Sequence, residues 1–150
     1  MINTSHLHPM IVHFPIAVIM IGFLADLLSM FLSKGKSLSK MGFYLQIVGM
    51  LAAIAAFVTG YLGILQKGDE AEMLRESHEL FATFTLISII LATFFRILLV
   101  YHKKEESPLK YIALSLFFFA FIFVVITGYL GGTLVYSYMV GSNESAVIFQ

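Results

Sequence analysis

Four of the five histidines lie at the starts of two apolar segments. His6, His8 and His13 open the first segment and His78 opens a later one, whereas His102 lies in a basic connection. Imidazole nitrogen binds iron, copper and zinc, so rings gathered at one end of a helical protein could ligate a b-type haem or a transition metal. We predict that His8, His13 and His78 form such a site, with His8 and His78 as the leading pair. The alternative is that these rings only hydrogen bond to water, lipid headgroups or backbone carbonyls.

Two charged residues lie deep inside apolar segments. Asp26 stands in the first of them and Arg96 in the third. A charge at this depth is strongly unfavourable unless it is paired or hydrated. We predict that Asp26 and Arg96 form a structural ion pair. A proton or ion relay is the alternative, and it is disfavoured because no further carboxylates continue through these segments.

The composition identifies lipid as the solvent for much of the chain. Of the 150 residues, 59% are hydrophobic and 12% are charged, and the mean hydropathy is +0.92. Soluble domains carry about twice that share of charged residues. The formal net charge is zero, without the basic surface that nucleic-acid binding needs. With no cysteine, disulfides, thiolate metal sites, iron–sulfur clusters and c-type haem attachment are excluded.

Four apolar segments, at residues 10–32, 41–65, 80–101 and 109–129, predict the fold. Each is near the roughly 20 residues that a membrane-spanning helix needs, about twice the length of a barrel strand. We therefore predict a single all-α domain, a four-transmembrane-helix bundle. Pro9 and Pro15 leave open whether the first helix begins at Pro9 and kinks, or begins near Pro15. Gly131 and Gly132 predict that the fourth helix ends there, and that residues 134–140 fold back over the mouth of the bundle.

The charges of the connections predict an orientation. Residues 33–40 carry three lysines and no acid, and residues 102–110 carry three lysines against two glutamates. The connection at 66–79 is mainly acidic and must lie on the opposite side. By the positive-inside rule the two basic connections are cytoplasmic, so both termini and the other four histidines face outward, whereas His102 faces the cytoplasm.

A pentapeptide repeat predicts internal symmetry. The sequence Thr-Gly-Tyr-Leu-Gly occurs at residues 59–63 and again at 127–131, an offset of 68. Sliding the first segment onto the third at an offset of 70 places His8 on His78 and Asp26 on Arg96. The chain is therefore predicted to form two helical hairpins of the same polarity around a pseudo-twofold axis along the membrane normal. His8 and His78 would then approach this axis from opposite sides, as bis-histidine haem ligation requires.

The second segment carries a stripe of small residues. Gly49 and Ala53 form one set with a spacing of four residues, and Ala52, Ala56 and Gly60 form another. Small residues at this spacing allow helices to approach closely, so we interpret the stripe as a helix-packing face.

Several motifs resemble a known family. They are His8-Pro9, His13-Phe14-Pro15, Asp26, Thr59-Gly60, His78, Arg96 and Gly131-Gly132-x-Leu134-Val135-Tyr136. Together they resemble the bacterial predicted membrane proteins grouped as domain of unknown function 2231. The resemblance implies four transmembrane helices in a bacterial inner membrane, and relatives are similar to electron-transfer proteins in sometimes being joined to cytochrome-like domains. Members typically finish with Tyr-x-His-Gly-Val-Gly, whereas Tyr138 stands here at the position of that histidine.

Three functions remain possible at this stage. The first is electron transfer, with haem or a metal held near the outer face and a periplasmic redox partner. The second is a non-catalytic scaffold or accessory subunit, which would bind other membrane proteins through the small-residue face. The third is a transporter, for which four helices would have to form a homo-oligomer. No hydrolase triad or phosphate-binding loop occurs, and the sequence does not decide whether the protein is an enzyme.

Overall fold

The computed structural model describes residues 4–32, 35–63, 71–105 and 107–138, and within these ranges the regular structure is entirely α-helical. The helices are α1 (Thr4–Ser29), α2 (Gly35–Gly63), α3 (Glu72–Tyr101) and α4 (Leu109–Tyr138). All four are long and apolar enough to cross a membrane. The predicted all-α bundle with four membrane-spanning helices is confirmed.

The start of α1 differs from both positions predicted from the sequence. The helix begins at Thr4 and includes both Pro9 and Pro15, so neither predicted start occurs. Proline removes a backbone donor, but its fixed φ angle is compatible with a helix. In lipid the remaining backbone groups have no water to bind, and this favours continuing the helix past each proline. Pro15 is buried in the bundle, where packing adds to this preference.

The predicted break in α4 is also wrong. The helix passes through Gly131 and Gly132 and continues to Tyr138. Glycine weakens a helix interior by only about 1 kcal/mol, which is too little to end a helix in lipid. Leu134, in the next turn, is buried and holds this extension against the bundle. Residues 134–138 therefore do not fold back, and residues 139 and 140 lie outside the described ranges.

The four helices pack as a square. Helix α1 packs against α2 and α4, and α3 packs against the same two helices, with the closest packing inside the pairs α1–α2 and α3–α4. These pairs are the two predicted hairpins. The helices α1 and α3 occupy one diagonal, and in the described part of the chain none of their Cα atoms approach within 8 Å.

The small-residue stripe of α2 packs inside the bundle. A Cβ atom placed on Gly49 would lie 2.8 Å from Cγ1 of Ile19 in α1, and Ala53 and Ala56 are buried. A Cβ atom on Gly42, one helical turn before Gln46, would lie 3.0 Å from the carbonyl oxygen of Gly22. Glycine at these positions is therefore required for α1 and α2 to approach so closely.

Burial follows the internal repeat. Ile19 in α1 and Ile89 in α3 are both fully buried, and they are related by the offset of 70. The same offset relates three further buried pairs, which are Pro15 and Thr85, Gly22 and Ala92, and Phe23 and Thr93. Both diagonal helices thus turn equivalent faces toward the centre, as a pseudo-twofold axis requires.

One buried polar side chain breaks this equivalence. Gln46 in α2 is 1% exposed, and neither its amide nitrogen nor its amide oxygen has a hydrogen-bond partner among the described residues. The equivalent position in α4, at the offset of 68, is Leu114, which packs against the core. An apolar side chain therefore suffices at this position in the other hairpin.

Candidate functional site

The rings of His8 and His78 meet across the diagonal of the bundle. Their centroids are 6.3 Å apart and their planes are nearly perpendicular, at 87°. Because α1 and α3 make no close backbone approach, these side chains bridge a space that the helices leave between them. Both rings lie at the end of the bundle where α2 and α4 finish.

Helix α2 determines the protonation of the His8 ring. Nδ1 of His8 lies 3.2 Å from Oγ1 of Thr59, and the Thr59 hydroxyl itself donates to the carbonyl of Ala56 at 2.9 Å. Since the hydroxyl proton is already used, Oγ1 of Thr59 acts as an acceptor and Nδ1 of His8 donates. A neutral imidazole carries one N–H, so Nε2 of His8 keeps its lone pair.

Helix α4 has the same effect on His78 by a different group. Nδ1 of His78 lies 3.1 Å from the backbone carbonyl oxygen of Thr127. A carbonyl oxygen can only accept, so Nδ1 carries the proton and Nε2 does not. The two rings therefore share one tautomer, and each presents an unprotonated Nε2. In metal proteins a ligating histidine usually donates its other N–H to such a partner.

Two glycines let the rings lie directly on the neighbouring helix backbones. A Cβ atom on Gly60 would lie 2.8 Å from Cε1 of His8, and one on Gly131 would lie 3.0 Å from Cε1 of His78. The repeated pentapeptide thus supplies both the hydrogen-bond partner and the bare backbone for a histidine. From the sequence, the pentapeptide predicts only the internal repeat, and its contact with the histidines was not predicted. Its recurrence in the half-chain of each histidine could have indicated this contact.

His13 does not join this pair. Its side chain is exposed, and Nδ1 lies 2.7 Å from the carbonyl oxygen of Pro9 in the preceding turn. His102 lies at the other end of the bundle, where its exposed ring contacts Tyr101. The side chains of His6 and Tyr138 are outside the described part of the structure. The described histidines therefore form a pair and not the predicted cluster of three.

The pair limits which metal centres are chemically reasonable. Among the described residues, no group of three or more histidine, cysteine, aspartate or glutamate side chains could hold a metal ion. Protein zinc sites use three or four such ligands. A haem iron receives four nitrogens from its macrocycle and needs only axial ligands from the protein. Two imidazoles therefore suit a haem better than a bare zinc ion.

The second polar contact of the diagonal lies at the opposite end of the bundle. Arg96 donates to Asp26 through two parallel hydrogen bonds, Nη1 to Oδ2 at 2.6 Å and Nη2 to Oδ1 at 2.9 Å. Nη2 also donates to Oγ of Ser39 at 2.6 Å, and Phe43 lies beside the guanidinium. Asp26 is 3% exposed. Both carboxylate oxygens of Asp26 thus accept from the guanidinium, which is typical of a structural ion pair.

Four apolar helices, with a histidine pair and an ion pair at the two ends of one diagonal, define an integral membrane protein of the polytopic helical class. The sequence model of the family "Predicted membrane protein (DUF2231)" matches residues 4–144, so the chain belongs to that family. No curated protein and no solved structure matches the chain.

Proposed function

We propose that the protein is an electron-transfer protein of the membrane in which His8 and His78 bind a haem iron through their Nε2 atoms. The observation that carries the proposal is that the two rings meet across the diagonal with each Nδ1 within hydrogen-bond distance of an oxygen on the neighbouring helix. With both Nδ1 atoms engaged in this way, the two Nε2 atoms remain available as ligands.

The separation of the rings fits this role. An ion bound about 2 Å from each Nε2, with the imidazoles on opposite sides, would place the ring centres about 6 Å apart. The observed separation is 6.3 Å.

A haem bound here would accept and release one electron. The chain's own residues would orient the two ligands, set their tautomer and surround them with low-dielectric protein and lipid, all of which tune a reduction potential. We infer that this end faces the periplasm of a bacterium and meets a soluble redox partner there. The basic connections at the other end support that orientation.

The proposal is tested by the visible spectrum of the protein purified from cells that are supplied with haem. We expect a Soret band, with α and β bands on reduction, that is lost in His8→Ala and in His78→Ala. His13→Ala is the matched control, because it removes an exposed histidine from the same helix and the same end of the bundle. His102→Ala removes the exposed histidine at the opposite end.

Two results would overturn the proposal. One is a colourless protein that contains no metal by elemental analysis. The other is an equal loss of the absorption bands in His13→Ala, which would show that the pair has no special role.

The scaffold alternative keeps only part of the small-residue stripe, because Gly49, Ala53 and Ala56 are buried inside the bundle whereas Ala52 and Gly60 are half-buried. The transporter alternative is likewise weakened, because Asp26 and Arg96 satisfy each other and Ser39 completes the site.

A further inference from the structure

A small cavity lies at the end of the bundle opposite the histidine pair, where the chain passes from α3 to α4. Its volume is about 230 Å³, and its lining is formed by Leu98, Leu99, His102, Lys104, Ser107 and Leu109. It shares no residue with the histidine pair or with the ion pair. An inference drawn from it is therefore independent of the proposed function.

The turn that forms the cavity has a defined backbone. The N–H of Lys103 donates to the carbonyl of Val100, and the N–H of Lys104 donates to the carbonyl of Leu99. These two bonds close the end of α3 as a Schellman motif, with Lys103 in the left-handed region at a φ of 53°. Ser107 then caps α4 by accepting a hydrogen bond from the N–H of Leu109.

The lining is mainly apolar, and its residues come from both sides of the boundary of the spans. Leu98, Leu99 and Leu109 belong to the last turns of α3 and the first turn of α4, which are the ends of two membrane-spanning helices. His102, Lys104 and Ser107 belong to the connection outside the spans. The cavity therefore crosses the level where hydrocarbon gives way to headgroups.

We propose that this cavity binds one anionic phospholipid, with its phosphate at Lys104 and His102 and the start of an acyl chain against the three leucines. The division of the lining selects an amphiphile. A free phosphate would leave the leucines unused, and a zwitterionic lipid would bring its own cation next to Lys104. Basic pockets between transmembrane helices are known sites for anionic headgroups on the cytoplasmic side.

The test compares three probes on the full chain in a mild non-ionic detergent. Phosphatidylglycerol, phosphatidylcholine with the same acyl chains, and inorganic phosphate are added separately, and bound lipid is counted by native mass spectrometry. Thermal unfolding is followed in parallel, because a ligand of the folded state raises its unfolding midpoint. We expect phosphatidylglycerol to bind at one site and raise the midpoint, and the other two probes to do neither.

Lys104→Ala should weaken the binding of phosphatidylglycerol about tenfold, the usual effect of losing one charged hydrogen bond. Lys36→Ala is the matched control, because Lys36 is an exposed lysine at the same end of the bundle and outside the cavity. Equal binding of phosphatidylcholine, an equal loss in Lys36→Ala, or saturation of the site by inorganic phosphate alone would each overturn the proposal.

Discussion

Each end of the α1–α3 diagonal carries a pair of residues that the internal repeat makes equivalent. The two pairs make opposite kinds of contact. His8 and His78 meet at one end, Asp26 and Arg96 meet at the other, and both pairs are related by the same offset of 70 residues. The aspartate and the arginine are complementary and complete each other. The two histidines are identical and hold the same tautomer, so neither can donate a hydrogen bond to the other's Nε2. The first kind of pair stabilises a fold, and the second kind remains able to bind an ion.

The sharpest way to test this contrast is to remove one partner at each end. Asp26→Ala leaves the Arg96 guanidinium mostly buried without its counter-charge, and we expect a loss of about 3–5 kcal/mol in the free energy of unfolding. His8→Ala removes a neutral hydrogen bond and the packing of a half-buried ring, so we expect a smaller loss of about 1–2 kcal/mol. Unfolding in mixed micelles with increasing sodium dodecyl sulfate measures both.

The double variant Asp26→Leu with Arg96→Met is the control for that experiment. It removes both charges and should recover most of the lost stability, because buried ion pairs are often replaceable by apolar residues of similar size. Equal losses in Asp26→Ala and His8→Ala would show that the two ends do not differ in the way described.

Two adjacent glycines in α4 separate ring positioning from helix propensity. Gly131→Ala would push a methyl group against the His78 ring, and we expect a loss of about 1–3 kcal/mol from overpacking together with a displaced ring. At Gly132 a Cβ atom meets nothing within 4 Å, so Gly132→Ala should gain about 0.5–1 kcal/mol. Unfolding midpoints report the stability, and side-chain NMR of the histidines reports the ring. Similar unfolding midpoints and similar histidine spectra in the two variants would show that Gly131 does not position the His78 ring.

Gln46 is a buried polar residue that belongs neither to the histidine pair nor to the ion pair. Gln46→Leu reproduces the residue found at the equivalent position of α4, and it removes a buried amide without a described partner. We expect stability to rise by about 1–3 kcal/mol, the typical penalty for such a group. Leu114→Gln is the reciprocal control, because it places an amide at the equivalent position of α4, and it should lower stability. A loss of stability in Gln46→Leu would mean that the amide has a partner after all.

The smallest expected effect distinguishes the two histidines from each other. Thr59→Val removes the side-chain acceptor of His8, whereas Thr127→Val leaves the backbone carbonyl that accepts from His78. We expect the population of the Nδ1–H tautomer to fall for His8 only, with a change of about 0.5–1.5 kcal/mol. Nitrogen-15 NMR of the imidazoles measures this population. A matching change for His78 in Thr127→Val would contradict the assignment of its partner.

The sequence predicted the number and pairing of the helices because hydrophobic length is a strong signal in a membrane protein. It did not predict their ends. The predictions at Pro9, Pro15 and Gly131 rest on the helix-breaking effect of these residues in water. There the free backbone groups of a broken helix can hydrogen bond to solvent. In lipid the unsatisfied backbone groups are more costly than a proline or a glycine, so the helices continue.

The site could be predicted only as far as the repeat extends. Aligning the two halves placed His8 opposite His78, but proximity in sequence was a poor guide for His13. Five residues after His8, it lies roughly 140° further around the helix, away from the axis. Ser39 was missed because its function is not repeated. Its equivalent, Ser107, caps α4 instead of binding a charge.

The unlike charges of Asp26 and Arg96 also determine which hairpin can pair with which. Two copies of the first hairpin would bring one aspartate against another, and two copies of the second would bring two guanidinium groups together. Both self-associations are electrostatically unfavourable, while the histidine end alone would tolerate either. A single ion pair therefore makes each half of this duplicated chain a specific partner for the other and a poor partner for itself.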